Sequence, residues 1–364
     1  MKVLLQNPIL PPYRLAFFQS LSKAPGIDLH LAYGQSQRGS ALESIQEPEH
    51  LQVHPLRNLY IGGIPPRMTL QPKFPNVIRA VRPDVVIAGY DPRFLTNILG
   101  YFTARRLGIK WIWWGHGIRP RDRYHFIYKK MADMADAVIL YGSSAKEKLS
   151  LLGVQNDKLF SALNSIDTTE IDEYYSSIPF DQRNRLLYIG RLIPKKKVDM
   201  LIRAFAEAFP SLPRETILTI IGTGPTKVKL QSLCVDFGLQ RNVEFTGSLY
   251  TQEELSKYIN HSFLSVSPGY IGLSAIHSLA YGVPILVADN EPHSPEIEIL
   301  EKEVNGLYFE SNSTVDLARH LTELSNDKVR LSKMGAMGRA IAYERFSVEA
   351  MVRSFQKTLD YVLK

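Results

Sequence analysis

The chain has 364 residues, 45% of them hydrophobic and 22% charged, with a net charge of +7, a pI near 9.2 and a single cysteine. These figures exclude a disordered, collagen-like or disulfide-stapled chain, and one cysteine rules out both an intramolecular disulfide and a cysteine-based zinc site. The length suits two domains of roughly 150 to 200 residues with a cleft between them, and the positive balance favours anionic partners such as phosphates, nucleic acid or an acidic membrane surface.

The first apolar run, residues 3–6, reads as a buried strand. Gln6, Asn7 and Pro8 interrupt it too soon for a signal peptide, no window reaches the about 18 apolar residues needed to cross a bilayer, and the expected location is the cytoplasm. The turn NPILPPYR leads into a helix carrying Leu15, Phe18 and Leu21, then a short strand at 28–32. Prolines stand where a dinucleotide fingerprint needs G-x-G-x-x-G, so no cofactor cradle is expected there; Tyr13 and Arg14 either face the cleft or cap the helix. Residues 35–71 read as loop and edge structure, with an exposed lip at 60–66. A βα rhythm follows: strand 84–88, helix 94–106, strand 110–114, then Gly-His-Gly. His116 therefore sits just past a strand's carboxyl end, where it is either a ligand contact, given room by Gly115 and Gly117, or a hydrogen-bonded structural histidine. Residues 119–130, RPRDRYHFIYKK, pack six basic side chains among aromatics. That cluster suits phosphate or an anionic membrane surface, and equally a solvated helix face. A strand at 137–141 and a helix at 143–152, with Ser143 or Ser144 as its cap, complete this half.

Residues 167–184 are polar and non-periodic, as a linker would be. A strand at 186–189 runs into GRLIPKKKVDMLIRAFAEAF, which places Arg191 and the lysines at a helix entrance, where a diphosphate would be neutralised; plain surface lysines are the other reading. The strand at 216–221 ends in GTGPTK, which has the spacing of neither phosphate-loop signature. Strand 243–246 and helix 253–260 precede the densest stretch, HSFLSVSPGYIGLSAIHSLAYGVPILVADNEPHSPEIEIL. Its apolar run stops at Pro268 and Gly269, a helix opens near Gly272 with Leu273, Ile276 and Leu279 in step, Gly282 and Pro284 end it, and residues 285–288 begin a second buried strand. Such a βαβ unit requires a parallel sheet, with an anion site expected around residues 268–273 at the strand's carboxyl end. The terminal stretch 347–363 is helical, with Met351, Phe355 and Tyr361 apolar.

The ordered set GRLIPKKKVDMLI, IIGTGP, VEFTGSL, SPGYIGLSAIHSLAYGVPIL and NGLYF resembles the carboxyl-terminal half of retaining glycosyltransferases of family four, over most of residues 186–345. WWGHG, ADAVILYGSSAKEKLSLLGV and LNSID extend the resemblance into the amino half. It implies an α/β chain of GT-B fold: two Rossmann-like domains facing across a cleft, an acceptor-side domain at 1–170 carrying Tyr13 and Arg14, a donor domain at 171–345, and a helix at 346–364 returning to the first domain. By position, Arg191 and Lys196 match the pair on the donor diphosphate, and His116 matches the histidine near the donor sugar. Gly190, Gly269, Gly272, Leu273 and Ser274 would approach the donor, and Gly247 and Ser248 its base. The resemblance departs in one respect: aligned on Leu-Ala-Tyr-Gly-Val-Pro, Gly269 and His277 stand where the family has two glutamates. An imidazole at 277 would still serve the ribose hydroxyls, and Glu296 would lend a carboxylate nearby. No D-x-D occurs, so cationic side chains are expected in place of a metal, and no cofactor is expected beyond the nucleotide sugar. The implied activity is transfer of a hexose to a glycan or lipid-linked glycan, by a cytoplasmic protein peripheral to the membrane through 119–130 and not engaging nucleic acid. A non-catalytic nucleotide-sugar-binding protein and, behind it, a GT-B epimerase are the alternatives.

Overall fold

The computed structural model describes all residues except 41, 42, 47, 65 and 119–124. The chain divides into two units, residues 1–165 with 348–364, and residues 166–347.

In the first unit the elements run β1 (Lys2–Asn7), α1 (Leu15–Ser22), β2 (Asp28–Tyr33), β3 (Gln52–Pro55), β4 (Leu59–Ile61), β5 (Met68–Leu70) and α2 (Phe74–Val81). They continue through β6 (Val85–Gly89), α3 (Leu95–Arg106), β7 (Lys110–Gly115), α4 (His125–Met134), β8 (Ala137–Leu140), α5 (Ser143–Leu151) and β9 (Leu159–Ser161). The second unit holds α6 (Thr168–Tyr174), β10 (Arg185–Ile189), α7 (Val198–Ala208), β11 (Ile217–Ile221), α8 (Lys227–Asp236), β12 (Val243–Gly247) and α9 (Gln252–Ile259). Then come β13 (Ser262–Ser267), α10 (Ser274–Ala280), β14 (Ile285–Ala288), β15 (Gly306–Phe309), α11 (Thr314–Ser325) and α12 (Lys328–Arg345); α13 (Val348–Leu363) belongs to the first unit.

Each unit is built on a parallel sheet. The first has the order β3-β2-β1-β6-β7-β8-β9 and the second β12-β11-β10-β13-β14-β15, with the antiparallel pair β4-β5 standing apart. Strands such as β8 and β14, four buried residues each, read as unbroken apolar runs because both faces are covered. In the first unit one face packs on α1 and α13, with Phe17, Trp114 and Phe355 in contact at 4.8–5.9 Å between ring centroids. The opposite face carries Phe74, Tyr101, Trp111 and Trp113. In both sheets the chain builds outward in one direction, then returns past its first strand and builds the other way. The reversal falls between β1 and β6 in the first unit and between β10 and β13 in the second, and a crevice at the strands' carboxyl ends follows from that topology.

Residues 167–184, expected as linker, contain α6 instead. Asp167 caps it, its carboxylate accepting from the backbone N–H groups of Thr169 and Glu170, and Asn260 holds its end by donating to the Tyr174 carbonyl at 2.9 Å. The helix packs on α9, so the units divide at 165/166 and 347/348 rather than at the expected 170/171 and 345/346. Helix α5 is capped by Gly142, in extended conformation with no side-chain bond, rather than by a serine: the helix starts one residue early and leaves Ser143 inside its first turn. Among the described residues, no helix is long and apolar enough to cross a membrane.

Candidate functional site

The crevice between β10 and β13 is flanked by two loops, 190–197 and 268–273, and the predicted donor residues collect there. Lys196 ends a short 3-10 turn, Pro194–Lys196, and reaches across to donate to the Tyr270 carbonyl at 2.5 Å. Burial, reinforced by the charges of Lys195 and Arg191 and opposed by Glu296, pushes its ammonium down to about 8. Lys195 lies over the Tyr270 ring at 4.5 Å and Lys196 at 5.0 Å, a cation–π arrangement that holds both charges beside that ring. Arg191 is exposed and its guanidinium makes no hydrogen bond or ion pair among the described residues. Lys197 is spent differently: it takes a left-handed conformation at the start of α7 and pairs with Glu291, with Asn312 accepting from the same ammonium at 2.7 Å. Three cations thus stand round one crevice, and the Lys196 ammonium is depressed first by burial and then by the like charges of Lys195 and Arg191, both of which a bound anion would offset.

Glycines explain how the loops come this close. A Cβ on Gly269 would lie 2.4 Å from the Lys195 carbonyl oxygen and 3.1 Å from the Lys196 carbonyl carbon. Position 269 is therefore closed to any side chain, which is why the carboxylate expected from the resemblance has no room in this arrangement of the lysine turn. Gly222 and Gly224 press likewise on the carbonyls of Gly190 and Leu192, and hydrogen bonds from Gly190 to Ile221, Leu192 to Thr223 and Gly222 to Gly247 stitch the loops after β10, β11 and β12 into one edge. Gly247 and Ser248 are on this edge but two strands from β10, roughly 10 Å away at ordinary strand spacing.

Helix α10 opens at Ser274, with Gly272 and Leu273 in the turn before it and the Gly272 position 4.0 Å from the Lys196 ammonium, measured to an added Cβ. His277 is partly buried; its Nδ1 is enclosed without a hydrogen-bond partner, and desolvation pushes the imidazole down to about 4. It is neutral at physiological pH and has one ring nitrogen unsatisfied. Glu296 is 6% exposed, on the 3-10 turn Pro295–Ile299, and acts on Lys196 through its charge.

Sequence reasoning passed over His293 and Ser294. The Ile271 N–H donates to His293 Nδ1 at 3.2 Å, His293 Nε2 donates to the Ala288 carbonyl at 2.8 Å, and the Ser294 hydroxyl donates to the Ile271 carbonyl at 2.9 Å. Both backbone groups of Ile271 are thereby fixed, and with them the loop that receives Lys196. Burial, with Lys196 among the lesser causes, lowers the His293 pKa and so favours the neutral tautomer this clasp requires. HSPEIE held the signal, but only Glu296 was read from it.

The first unit gathers a second cluster at its own carboxyl edge. Arg14, 8% exposed at the end of the turn Pro12–Arg14, lies 4.5 Å from the Trp114 ring and 4.9 Å from that of Tyr141, and donates to Asn164 Oδ1 at 3.0 Å. His116 meets the Tyr141 ring edge-on at 4.6 Å. Tyr13 points outward, 48% exposed. The glycines beside His116 serve the chain rather than a ligand: an added Cβ would meet Tyr90 O at 3.1 Å from Gly115 and Leu140 Cδ2 at 2.9 Å from Gly117, whose φ is +64°. Beside the β1/β6 reversal lies a buried amide network in which Gln6 donates to Gln71 at 2.6 Å and accepts from Asn97 at 3.0 Å and from the Gly89 N–H at 3.1 Å. Of the basic stretch 119–130, residues 119–124 lie outside the described residues, and the remainder begins α4. No group of three or more His, Cys, Asp or Glu side chains suited to a metal occurs among the described residues.

Residues 171–341 match the family model described as Glycosyl transferases group 1. An uncharacterized glycosyltransferase of Methanocaldococcus jannaschii is 28% identical over 185 residues, 47% of this chain and 46% of that one. The poly(ribitol-phosphate) alpha-N-acetylglucosaminyltransferase of Staphylococcus aureus is 27% identical over 171 residues, 46% of this chain and 34% of that one. The matched segments span less than half the length of these curated relatives. Anabaena HepE, solved in complex with UDP, superposes with a TM-score of 0.71 at 16% identity, covering 99% of this chain and 100% of that one. The fold is GT-B, two Rossmann-like parallel-sheet domains in one chain.

Proposed function

We propose that the protein is a metal-independent retaining glycosyltransferase that binds a nucleoside diphosphate sugar at the β10/β13 crevice and transfers its hexose to a glycan or lipid-linked glycan. The observation that carries this reading is Lys196: a half-buried ammonium with a depressed pKa, flanked by Arg191 and Lys195 at a topological switch point, is an arrangement suited to a diphosphate. In the transfer the bond from the anomeric carbon to the diphosphate oxygen breaks, its electron pair leaves with the nucleotide, and the acceptor hydroxyl bonds to that carbon and gives up its proton to the departing diphosphate oxygen. Charge grows on the departing diphosphate, and fixed cations beside it lower that barrier more than they stabilise the ground state. We assign neutral His277 to a ribose hydroxyl, through the ring nitrogen other than the enclosed Nδ1, and backbone from Gly269 to Ser274 to the sugar. His116 contributes to transfer and not to nucleotide affinity, and Tyr13 and Arg14 to the acceptor. The UDP in the Anabaena structure supports a nucleotide donor, and the polymer named for the Staphylococcus relative supports a glycan-type acceptor. We assign the reaction to the cytoplasm, at the inner face of its membrane.

Thermal stabilisation by a panel of nucleoside diphosphates and their sugars tests this without an acceptor. A shift with one base, lost in the Arg191→Ala/Lys196→Ala variant, is expected, and no shift with any nucleotide refutes it. Turnover unchanged by a chelator is expected, and loss of turnover refutes metal independence. The closed position at Gly269 favours one rival, a nucleotide-sugar binder without turnover; stabilisation by donor with neither transfer nor donor hydrolysis would select it.

A further inference from the structure

Two ties hold the loop after β10 to the loop after β13. The first is direct: the Tyr270 N–H donates to the Lys195 carbonyl at 3.4 Å, and Lys196 donates to the Tyr270 carbonyl at 2.5 Å. The stronger of these bonds uses the ammonium that a diphosphate would compete for, since a lysine side chain has only three hydrogens to give. A crevice tied in this way alone would loosen as its ligand arrived.

The second tie makes no use of Lys196. Lys197 pairs with Glu291, whose side chain is 11% exposed and also accepts from the Ser311 hydroxyl at 3.1 Å. From Glu291 the chain passes through Pro292 to His293, and the His293 N–H donates back to the Glu291 carbonyl at 2.7 Å. This is a three-residue turn centred on proline, so the carboxylate and the imidazole are joined by backbone with little freedom. His293 and Ser294 then hold both backbone groups of Ile271. The loop after β15 braces the turn from its other side: the Ser311 N–H donates to Asp289 Oδ1 at 2.8 Å, and Asn312 accepts from Lys197 at 2.7 Å. Ion pair, proline turn and imidazole thus form one strap running from the entrance of α7 to residues 268–273.

We infer that Glu291 and Lys197 are positioning residues for the nucleotide: without touching the diphosphate, their ion pair acts through His293 to keep Ile271 and the lysine turn in register while Lys196 turns to the ligand. The inference rests on the crevice holding a nucleoside diphosphate. Its sign separates it from plain electrostatics. Glu291 is a negative charge beside a cationic crevice, so by charge alone its neutralisation tightens the hold on an anion. Where the carboxylate serves as a strap, the same change weakens that hold, because the loops no longer keep the geometry the ligand requires.

Calorimetry of the full chain with UDP, GDP, ADP and TDP, together with hydrogen exchange of the empty protein, tests it. Glu291→Gln should weaken the nucleotide that binds by about fivefold and Glu291→Ala by about tenfold or more, since glutamine keeps a neutral hydrogen bond in place of the charge-assisted one. Lys197→Gln should weaken it too, and Lys197→Gln/Glu291→Gln by no more than the worse single change, because one strap is broken only once. Lys197→Arg keeps the charge and should stay within about twofold of the parent. With no nucleotide present, Glu291→Gln and Glu291→Ala should speed exchange at the Ile271 amide while the amides of β10 stay protected, which also shows the variants to be folded. Tighter or unchanged binding by Glu291→Gln, additive losses in the double variant, or unchanged exchange at Ile271 overturns the inference alone. Absence of binding by the parent protein to all four nucleotides overturns the reading of the crevice, and this inference with it.

Discussion

If Lys196 holds a diphosphate, nucleotide affinity must follow its protonation. The ammonium titrates near pH 8 in the empty protein, and a bound dianion would raise that value, so binding draws in a proton wherever the free side chain is partly neutral. At pH 9.5 about one molecule in 30 retains the charge, which limits the loss of affinity relative to pH 7 to about 30-fold, or ~2 kcal/mol. The terminal phosphate of a free nucleotide is ionised throughout, its second pKa being about 6, while the uracil ring begins to lose its N3 proton at the top of the range, so the fall is read as the difference from Lys196→Arg. Calorimetry with UDP between pH 7 and 9.5, in buffers of different ionisation enthalpy, should show affinity falling above pH 8 with about half a proton taken up at pH 8. Lys196→Arg should bind with no such fall, since guanidinium keeps its charge. A flat wild-type profile without proton uptake would refute the assignment of Lys196 to the diphosphate. The same depression has a stability consequence of fixed sign. Between about 8 and the unfolded value of about 10.4 the folded chain binds fewer protons than the unfolded one, so this group makes the protein more stable as pH rises through that window.

Gly269→Ala places a Cβ 2.4 Å from the Lys195 carbonyl and should cost about 1–3 kcal/mol on denaturation while weakening nucleotide binding; unchanged stability would show that the lysine turn yields freely. His293→Ala removes both anchors of its ring and leaves the Ile271 N–H without its acceptor, an expected loss of about 1–3 kcal/mol with reduced nucleotide affinity, read by thermal melting and calorimetry. Thr251→Ala breaks the capping box of α9, in which the Thr251 hydroxyl and Glu254 exchange hydrogen bonds; a loss of about 1 kcal/mol is expected with nucleotide affinity unaltered, and altered affinity would mean that edge reaches the site.

Buried parallel strands announce themselves: the apolar runs that became β6, β8, β13 and β14 each end at or near a glycine or a proline and have no competing pattern. Helix α6 did not, because its seven residues include two threonines, two glutamates and an aspartate, and its order comes from the Asp167 cap and Asn260, contacts that no periodicity reports. In the site, Arg191, Lys196 and Gly269 stood in recognisable strings, yet what each does depends on a neighbour far along the chain. Lys196 and Tyr270 are 74 residues apart, and Lys197 and Glu291 are 94 apart. Three adjacent lysines read alike in sequence; their divergence into a ring contact, a crevice ammonium and an ion pair is a product of loop meeting loop.

The order in which the chain leaves the ribosome bears on α13. The first unit is discontinuous: its sheet is complete by Ser161, but Met351, Phe355 and Leu359, which cover one face of that sheet beside Phe17 and Trp114, are made only after the whole second unit. The second unit is continuous in sequence and can close while the first still exposes that face. During synthesis the amino-terminal half therefore waits, with an open apolar surface, for residues 348–364, and the nascent chain is exposed to aggregation over that interval in a way the folded unit is not.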